Sequence, residues 1–213
     1  MKTLILSGNT TGQPMKSDRI YCPAMQNLTA EQADLAFVMP RMDHNRTVLE
    51  TEAQGDWAAL LACDPFGSEI GKFAGLVELG YKGIANWPSA ILLDGSLRES
   101  MLSVPASAES EYEFLARAKS YGLETLAFFI SLTQARSALK AGLTRLVLHP
   151  GLLEIETPES RELVLRSLAK LIDDVKSEAE EVSIFVYSSQ WHESRVPLSS
   201  LQVDGIVWCE VEE

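Results

Sequence analysis

The chain has 213 residues, 46% of them hydrophobic, which suits one globular domain over residues 1–213 with a continuous core and is too short for two full domains. A formal net charge of −12 argues against a nucleic-acid backbone or an anionic membrane surface as partner, because both would be repelled. No run approaches the roughly 20 apolar residues of a membrane span, and Cys22, Cys63 and Cys209 lack CxxC spacing, so neither a disulfide framework nor a zinc site is expected and a reducing cytoplasm fits.

In chain order, Met1 to Gly8 has too brief an apolar run for a signal peptide and reads as a first strand, Thr3 to Leu6. Thr10 to Thr29 holds Gly12, Pro14 and Pro23 without a helical stripe, so a loop is expected in place of the first helix. The apolar run Ala33 to Met39 reads as strand two, and Arg41 to Asp56 offers at most two helical turns. From about residue 57, apolar runs alternate with amphipathic stretches, as in parallel strands joined by crossover helices. The strands expected there are Trp57 to Cys63, Lys82 to Trp87, Glu124 to Ile130, Arg145 to His149, Val182 to Tyr187 and Gly205 to Cys209.

Helix ends carry their own marks. Gly80, Gly122 and Gly142 follow the last turns, where a left-handed residue closes a helix. Ser68, Thr133 and Thr157 are placed to cap, and Pro158 suits a first helical position. The longest helix, Glu159 to Ala179, strings Leu163, Leu165, Leu168, Leu171, Ile172 and Val175 into one stripe. The expected fold is α/β, a TIM-type (β/α)8 barrel, abbreviated, with the first helix and the closing helix reduced or missing. A flank left bare by that last helix predicts a homo-oligomer.

Barrel sites gather at the C-terminal ends of strands, which nominates Asn9, Arg41, Asp43, Asp64, Asn86, Asp94, His149, Ser188, Gln190 and Glu210. Bland readings stand beside these. Asp64 before Pro65 and Asp94 before Gly95 are turn formers, His149 before Pro150 suits a satisfied core histidine, and Glu210 opens an acidic tail. His44 and His192 lie in polar stretches and read as surface histidines, Cys63 and Cys209 as small buried residues, and Trp57, Trp87, Trp191 and Trp208 as packing. No GxGxxG, Walker or GxSxG pattern occurs, so no nucleotide or flavin is expected.

Three stretches carry a family likeness: Ala62-Cys63-Asp64-Pro65-Phe66; Leu79-Gly80-Tyr81-Lys82-Gly83-Ile84-Ala85-Asn86-Trp87-Pro88-Ser89; and Leu92-Leu93-Asp94-Gly95. In order and spacing they resemble the T-D-P-F, L-G-F-x-G-V-Q-N-F-P-T and I-D-G motifs of the phosphoenolpyruvate hydrolase-like family of TIM barrels, also labelled signal-transduction or IGPS-like. Ala33-Asp34-Leu35, Ala141-Gly142-Leu143-Thr144 and His149-Pro150-Gly151 are similar to its A-D-L, A-G-A-D and H-x-G. The chain departs from it where members carry a glycine-rich first loop, a Ser-Gly-Arg-rich stretch and a His-Gly-Gly-Pro. Here stand Ser7-Gly8-Asn9-Thr10, Pro40-Arg41-Met42-Asp43-His44 and Tyr187-Ser188-Ser189-Gln190.

The resemblance implies a metal-assisted lyase or hydrolase of a small phosphorylated or carboxylated keto acid. Asp64 and Asp94 would bind magnesium, Asn86 would orient the substrate, His149 would move a proton, and Asn9, Arg41, Ser188 and Gln190 would contact a small anionic metabolite. The alternative is a non-catalytic barrel of the same family that binds a ligand or partner.

Overall fold

The computed structural model describes residues 1–8, 16–38, 42–64, 69–101, 106–153, 155 and 157–211. Eight parallel strands close into a barrel in sequence order: β1 (Lys2–Ser7), β2 (Lys16–Tyr21), β3 (Gly55–Leu60), β4 (Gly83–Asn86), β5 (Glu124–Phe129), β6 (Arg145–Leu148), β7 (Ser183–Ser188) and β8 (Gly205–Glu210). Between β2 and β3 lie α1 (Ala30–Asp34) and α2 (His44–Glu50), and between β3 and β4 lies α3 (Glu69–Glu78). Then come α4 (Gly95–Met101) and α5 (Ala108–Ala118) before β5, α6 (Leu132–Lys140) before β6, α7 (Pro158–Glu178) before β7, and α8 (Gln190–Arg195) before β8.

Residues in register on parallel neighbours share a face of the sheet, and faces alternate along each strand. Following the register round the barrel places Leu4, Leu6, Ile20, Trp57, Ala59, Ala85, Leu126, Phe128, Val147, Phe185, Tyr187 and Val207 on the inner face, all buried. Two glycines make room for the large rings among them: a Cβ at Gly83 would overlap the Trp57 ring, and one at Gly205 the Phe185 ring. Outside, Phe73, Tyr112, Phe114, Leu115, Ala135, Ala138, Leu168, Ile172 and Val175 bury the helices against the strands. Each large apolar side chain taken fully from water contributes about 1.5–3 kcal/mol. Leu163, placed in the α7 stripe by its spacing, is 59% exposed.

Seven strands lie where the sequence places them, within a few residues at their ends. Strand two does not. Ala33 and Asp34 end α1 and residues 35–38 continue as turns, with Met39 outside the described residues, because Thr29 caps the helix through Gln32 N and the Gln32 side chain reaches back to the Thr29 amide. The true β2 lies inside the stretch expected to be a loop. Its sequence Lys16-Ser17-Asp18-Arg19 hides the period of a strand, and only Ile20 and Tyr21 announce one. β1 and β2 are joined by residues 8–15 alone, fewer than the about ten to twelve residues of a full crossover with its helix.

Gly80, Gly122 and Gly142 have φ of 92°, 83° and 80°, as the closing of helices requires. Thr157 caps α7 with Pro158 in its first turn. Ser131, and not Thr133, caps α6, since the helix begins at Leu132; Ser68 lies outside the described residues. Among the described residues no helix is long and apolar enough to cross a membrane. On the outer face of β1 and β8, Thr3 is exposed and the register partners Ile5 and Trp208 are half-buried.

Candidate active site

Continuing the inner-face alternation past the strand ends brings Trp87, His149, Tyr187 and Cys209 together at the C-terminal mouth. Their rings stack: His149 lies 4.6 Å from Tyr187 and 5.4 Å from Trp87, with interplanar angles of 20° and 22°. The last residue of α1, Asp34, is delivered among them. Its Oδ1 lies 3.2 Å from His149 Nε2 and accepts a bond from the Tyr187 hydroxyl at 3.1 Å. Its Oδ2 lies 3.5 Å from Nε2 of His192, on α8. Gly151 N–H donates to His149 Nδ1 at 3.1 Å, so the neutral ring carries its proton on Nε2 and donates it to Asp34. Ser189 Oγ lies 2.7 Å from His192 Nδ1, completing a chain of polar groups that is buried throughout.

The environment sorts these groups chemically. Burial opposes the Asp34 charge, but the adjacent His149 imidazole and the contacts from His149 and His192 outweigh it and hold the carboxyl below the usual carboxylate range. Tyr187 is pushed well above an ordinary phenol by burial, Cys209 and Asp34, so it stays a donor. Burial raises Cys209 to about 12, which leaves it a thiol and no nucleophile. The indole Nε1 of Trp87 is buried with no hydrogen-bond partner among the described residues. A donor left so costs about 1–3 kcal/mol.

A second polar cluster sits behind the mouth. Asn86 points to the opposite side of β4 from Trp87, where its Nδ2 donates to Glu111 Oε2 of α5 at 2.7 Å and its Oδ1 accepts from Phe128 N at 2.7 Å. Ser89 Oγ and Ala90 N also donate to Glu111, at 2.5 and 2.8 Å. Burial pushes Glu111 up to about 7 against the pull of these three bonds. Asn86 therefore ties the β4 end to α5 and β5.

Asp64 follows β3 and is held by Lys72 Nζ at 3.3 Å and Asn45 Nδ2 at 3.0 Å, while Asn45 also clasps both backbone groups of Leu61. Asp94 is exposed immediately before α4, its carbonyl accepting from Arg98 N. The two carboxylates thus have separate tasks, and among the described residues no three His, Cys, Asp or Glu side chains gather to hold a metal. An ammonium already stands beside Asp64 where a cation would sit, so this pair does not fit a shared magnesium ion. Ser188 donates to Glu193 at 2.6 Å. Gln190 lines an outer groove of about 620 Å³ with Trp191, Trp208, Glu31 and Glu210. Asn9 and Arg41 lie outside the described residues.

Two histidines read as surface residues are buried. His192 belongs to the mouth, and His44 bridges Ala24 N and Ala59 O, with burial lowering it to about 4, so it stays neutral. Asp34 and Glu111 escape a sequence reading because a carboxylate on a short helix ordinarily faces water. The capping pair Thr29 and Gln32 is the signal that turns Ala33-Asp34-Leu35 from a strand into the end of a helix.

The chain is 26% identical over 142 residues to protein y4oT of Sinorhizobium fredii, covering 64% of this chain and 72% of that one. It is 28% identical over 131 residues to the ToMV resistance protein Tm-1 of Solanum lycopersicum, covering 58% of this chain but only 17% of the tomato protein. A solved structure from Burkholderia cenocepacia, whose description proposes a phosphonomutase, superposes with a TM-score of 0.54 over 97% of this chain and 86% of that one, at 13% identity, and so shares the fold. The model of the phosphoenolpyruvate hydrolase-like family matches residues 30–187, a span that holds Asp34, Asn86, Glu111, His149 and Tyr187, and the chain belongs to that family.

Proposed function

We propose that the barrel is a lyase- or hydrolase-type enzyme acting on a small phosphorylated or carboxylated keto acid, with His149 as its proton-transfer group. The observation that carries this is the buried Asp34–His149 pair at the strand ends, an ionised carboxylate oriented on one imidazole nitrogen. Asp34 sets the tautomer and leaves Nδ1 as the nitrogen to exchange a proton with an enolate carbon or oxygen. Gly151 N–H occupies that nitrogen, so this hydrogen bond has to open for the step to occur. Asn9 and Arg41 are the groups this reading assigns to the substrate's anionic end, and Asn86 holds the β4 end in place. Magnesium on Asp64 and Asp94 has no part in it, because Lys72 and Asn45 already engage Asp64.

The non-catalytic alternative draws support from the same polar strand ends, since Asp64, Asn86 and Ser188 are each engaged within the protein. A thermal-shift titration separates the two. Oxalate, pyruvate and phosphoenolpyruvate, each with and without magnesium, should raise the melting temperature saturably, since a ligand of the folded state stabilises it. A flat response to all of them would reject the enzyme reading.

We also infer that a second copy covers the outer flank of β1 and β8 at Ile5 and Trp208. Light scattering at micromolar concentration should return at least twice the chain mass; a monomer mass would reject it.

A further inference from the structure

We propose that the Trp87 indole N–H anchors the substrate of the mouth, donating to a keto or carboxyl oxygen of a small oxo acid. This rests on the reading of the mouth as an oxo-acid site and names the donor that site offers.

Buried donors in folded proteins have partners, and an exception asks for a ligand or a bound water. Trp87 is 1% exposed, and its Nε1 has none among the described residues. The rest of the ring is fully engaged: it packs 4.8 Å from Phe128, 5.1 Å from Tyr187 and 5.4 Å from His149. Those contacts hold the indole without using its polar edge. The Tyr187 hydroxyl is committed to Asp34, His149 Nε2 is committed to the same oxygen, and Ser189 is committed to His192. Two nitrogens of this ring cluster lack a hydrogen-bond partner among the described residues: His192 Nε2, which faces Asp34 Oδ2 at 3.5 Å, and Trp87 Nε1, which faces no charged group that the described contacts record.

Its placement suits the chemistry. The indole stacks on the imidazole that moves the proton, their centroids 5.4 Å apart, so an oxygen held at Nε1 belongs to a ligand bound beside that imidazole. Being uncharged, the donor adds no cation beside Asp34, and it requires an acceptor oxygen from its ligand. Phenylalanine at this place keeps an aromatic ring and removes only the N–H edge, so Trp87→Phe tests the donor itself.

The test is an indole ¹H–¹⁵N NMR titration of the whole chain with oxalate and pyruvate, beside oxalate affinities of the wild type and Trp87→Phe. The chain has four tryptophans, so Trp57→Phe, Trp191→Phe and Trp208→Phe assign the Trp87 resonance by elimination even if Trp87→Phe does not fold. The expected result is a saturable shift of that resonance and an about ten-fold weaker affinity in Trp87→Phe, the value of one good hydrogen bond. If oxalate binds, moving other resonances, while the Trp87 indole stays still and Trp87→Phe binds as well as wild type, the donor is satisfied by water and this inference falls while the enzyme reading stands. If neither acid binds the wild type, both fall together.

Discussion

Asp34→Ala should lower the unfolding free energy by about 3–5 kcal/mol at neutral pH, the cost of removing one partner from a buried charged cluster. The substitution strips His149 Nε2–H and the Tyr187 hydroxyl of their shared acceptor and takes the facing carboxylate from His192, leaving buried polar groups unpaired. At about 2–4 °C per kcal/mol for a chain of this size, the melting temperature should fall by roughly 6–20 °C. The effect has a direction in pH. The Asp34 carboxyl titrates below its unfolded value of about 4, so the folded state binds its proton less tightly than the unfolded one. Its stabilisation is fully present above pH of about 4 and is lost as pH falls further. Urea unfolding of both proteins at pH 7 and pH 3 measures this, and the gap between wild type and variant should narrow in acid. An equal gap at both pH values would mean that Asp34 is not held ionised by its neighbours.

Glu111 should act in the opposite sense. Burial lifts its folded pKa to about 7 from an ordinary 4.5, so the folded state holds the proton more firmly than the unfolded chain does. The protonated form's advantage is complete below pH of about 4.5, shrinks as pH rises toward 7, and is gone above it. At about 1.4 kcal/mol per pH unit, wild type should lose about 3 kcal/mol from this residue across that window. Glu111→Gln is neutral at every pH and removes this slope, at the cost of setting an amide against the donors of Asn86 and Ser89. Urea midpoints at pH 5 and pH 8 should therefore show wild type well ahead of the variant in acid and closer to it in base. Parallel profiles would show that Glu111 stays ionised throughout and that its three hydrogen bonds outweigh its burial.

How much of this was legible in the residues depends on the range of the interaction. Runs such as Leu146-Val147-Leu148 and Ile184-Phe185-Val186 are apolar on both faces because both faces are covered, and that shows locally. Thr157 with Pro158 and the glycines at positive φ are likewise local events, set within a turn or two. β2 was not legible, because Lys16 to Arg19 becomes a strand through pairing with β1 and β3 and has no apolar alternation of its own. His149 could be nominated from its place at a strand end, yet nothing near it in the chain names its partner.

The amino-acid sequence by itself determined the strand and helix alternation from residue 57 onward, the helix boundaries marked by Thr157, Pro158 and the closing glycines, and the set of polar residues that end those strands. The tertiary structure alone decided which of those residues meet. Barrel closure carries Asp34 to His149 and Tyr187 across more than a hundred positions and sets Glu111 behind Asn86. The physical reason is that burial and charge pairing depend on neighbours in space: the same carboxylate that would be solvated on an isolated helix is held ionised at Asp34 by two imidazoles and pushed toward neutrality at Glu111 by desolvation.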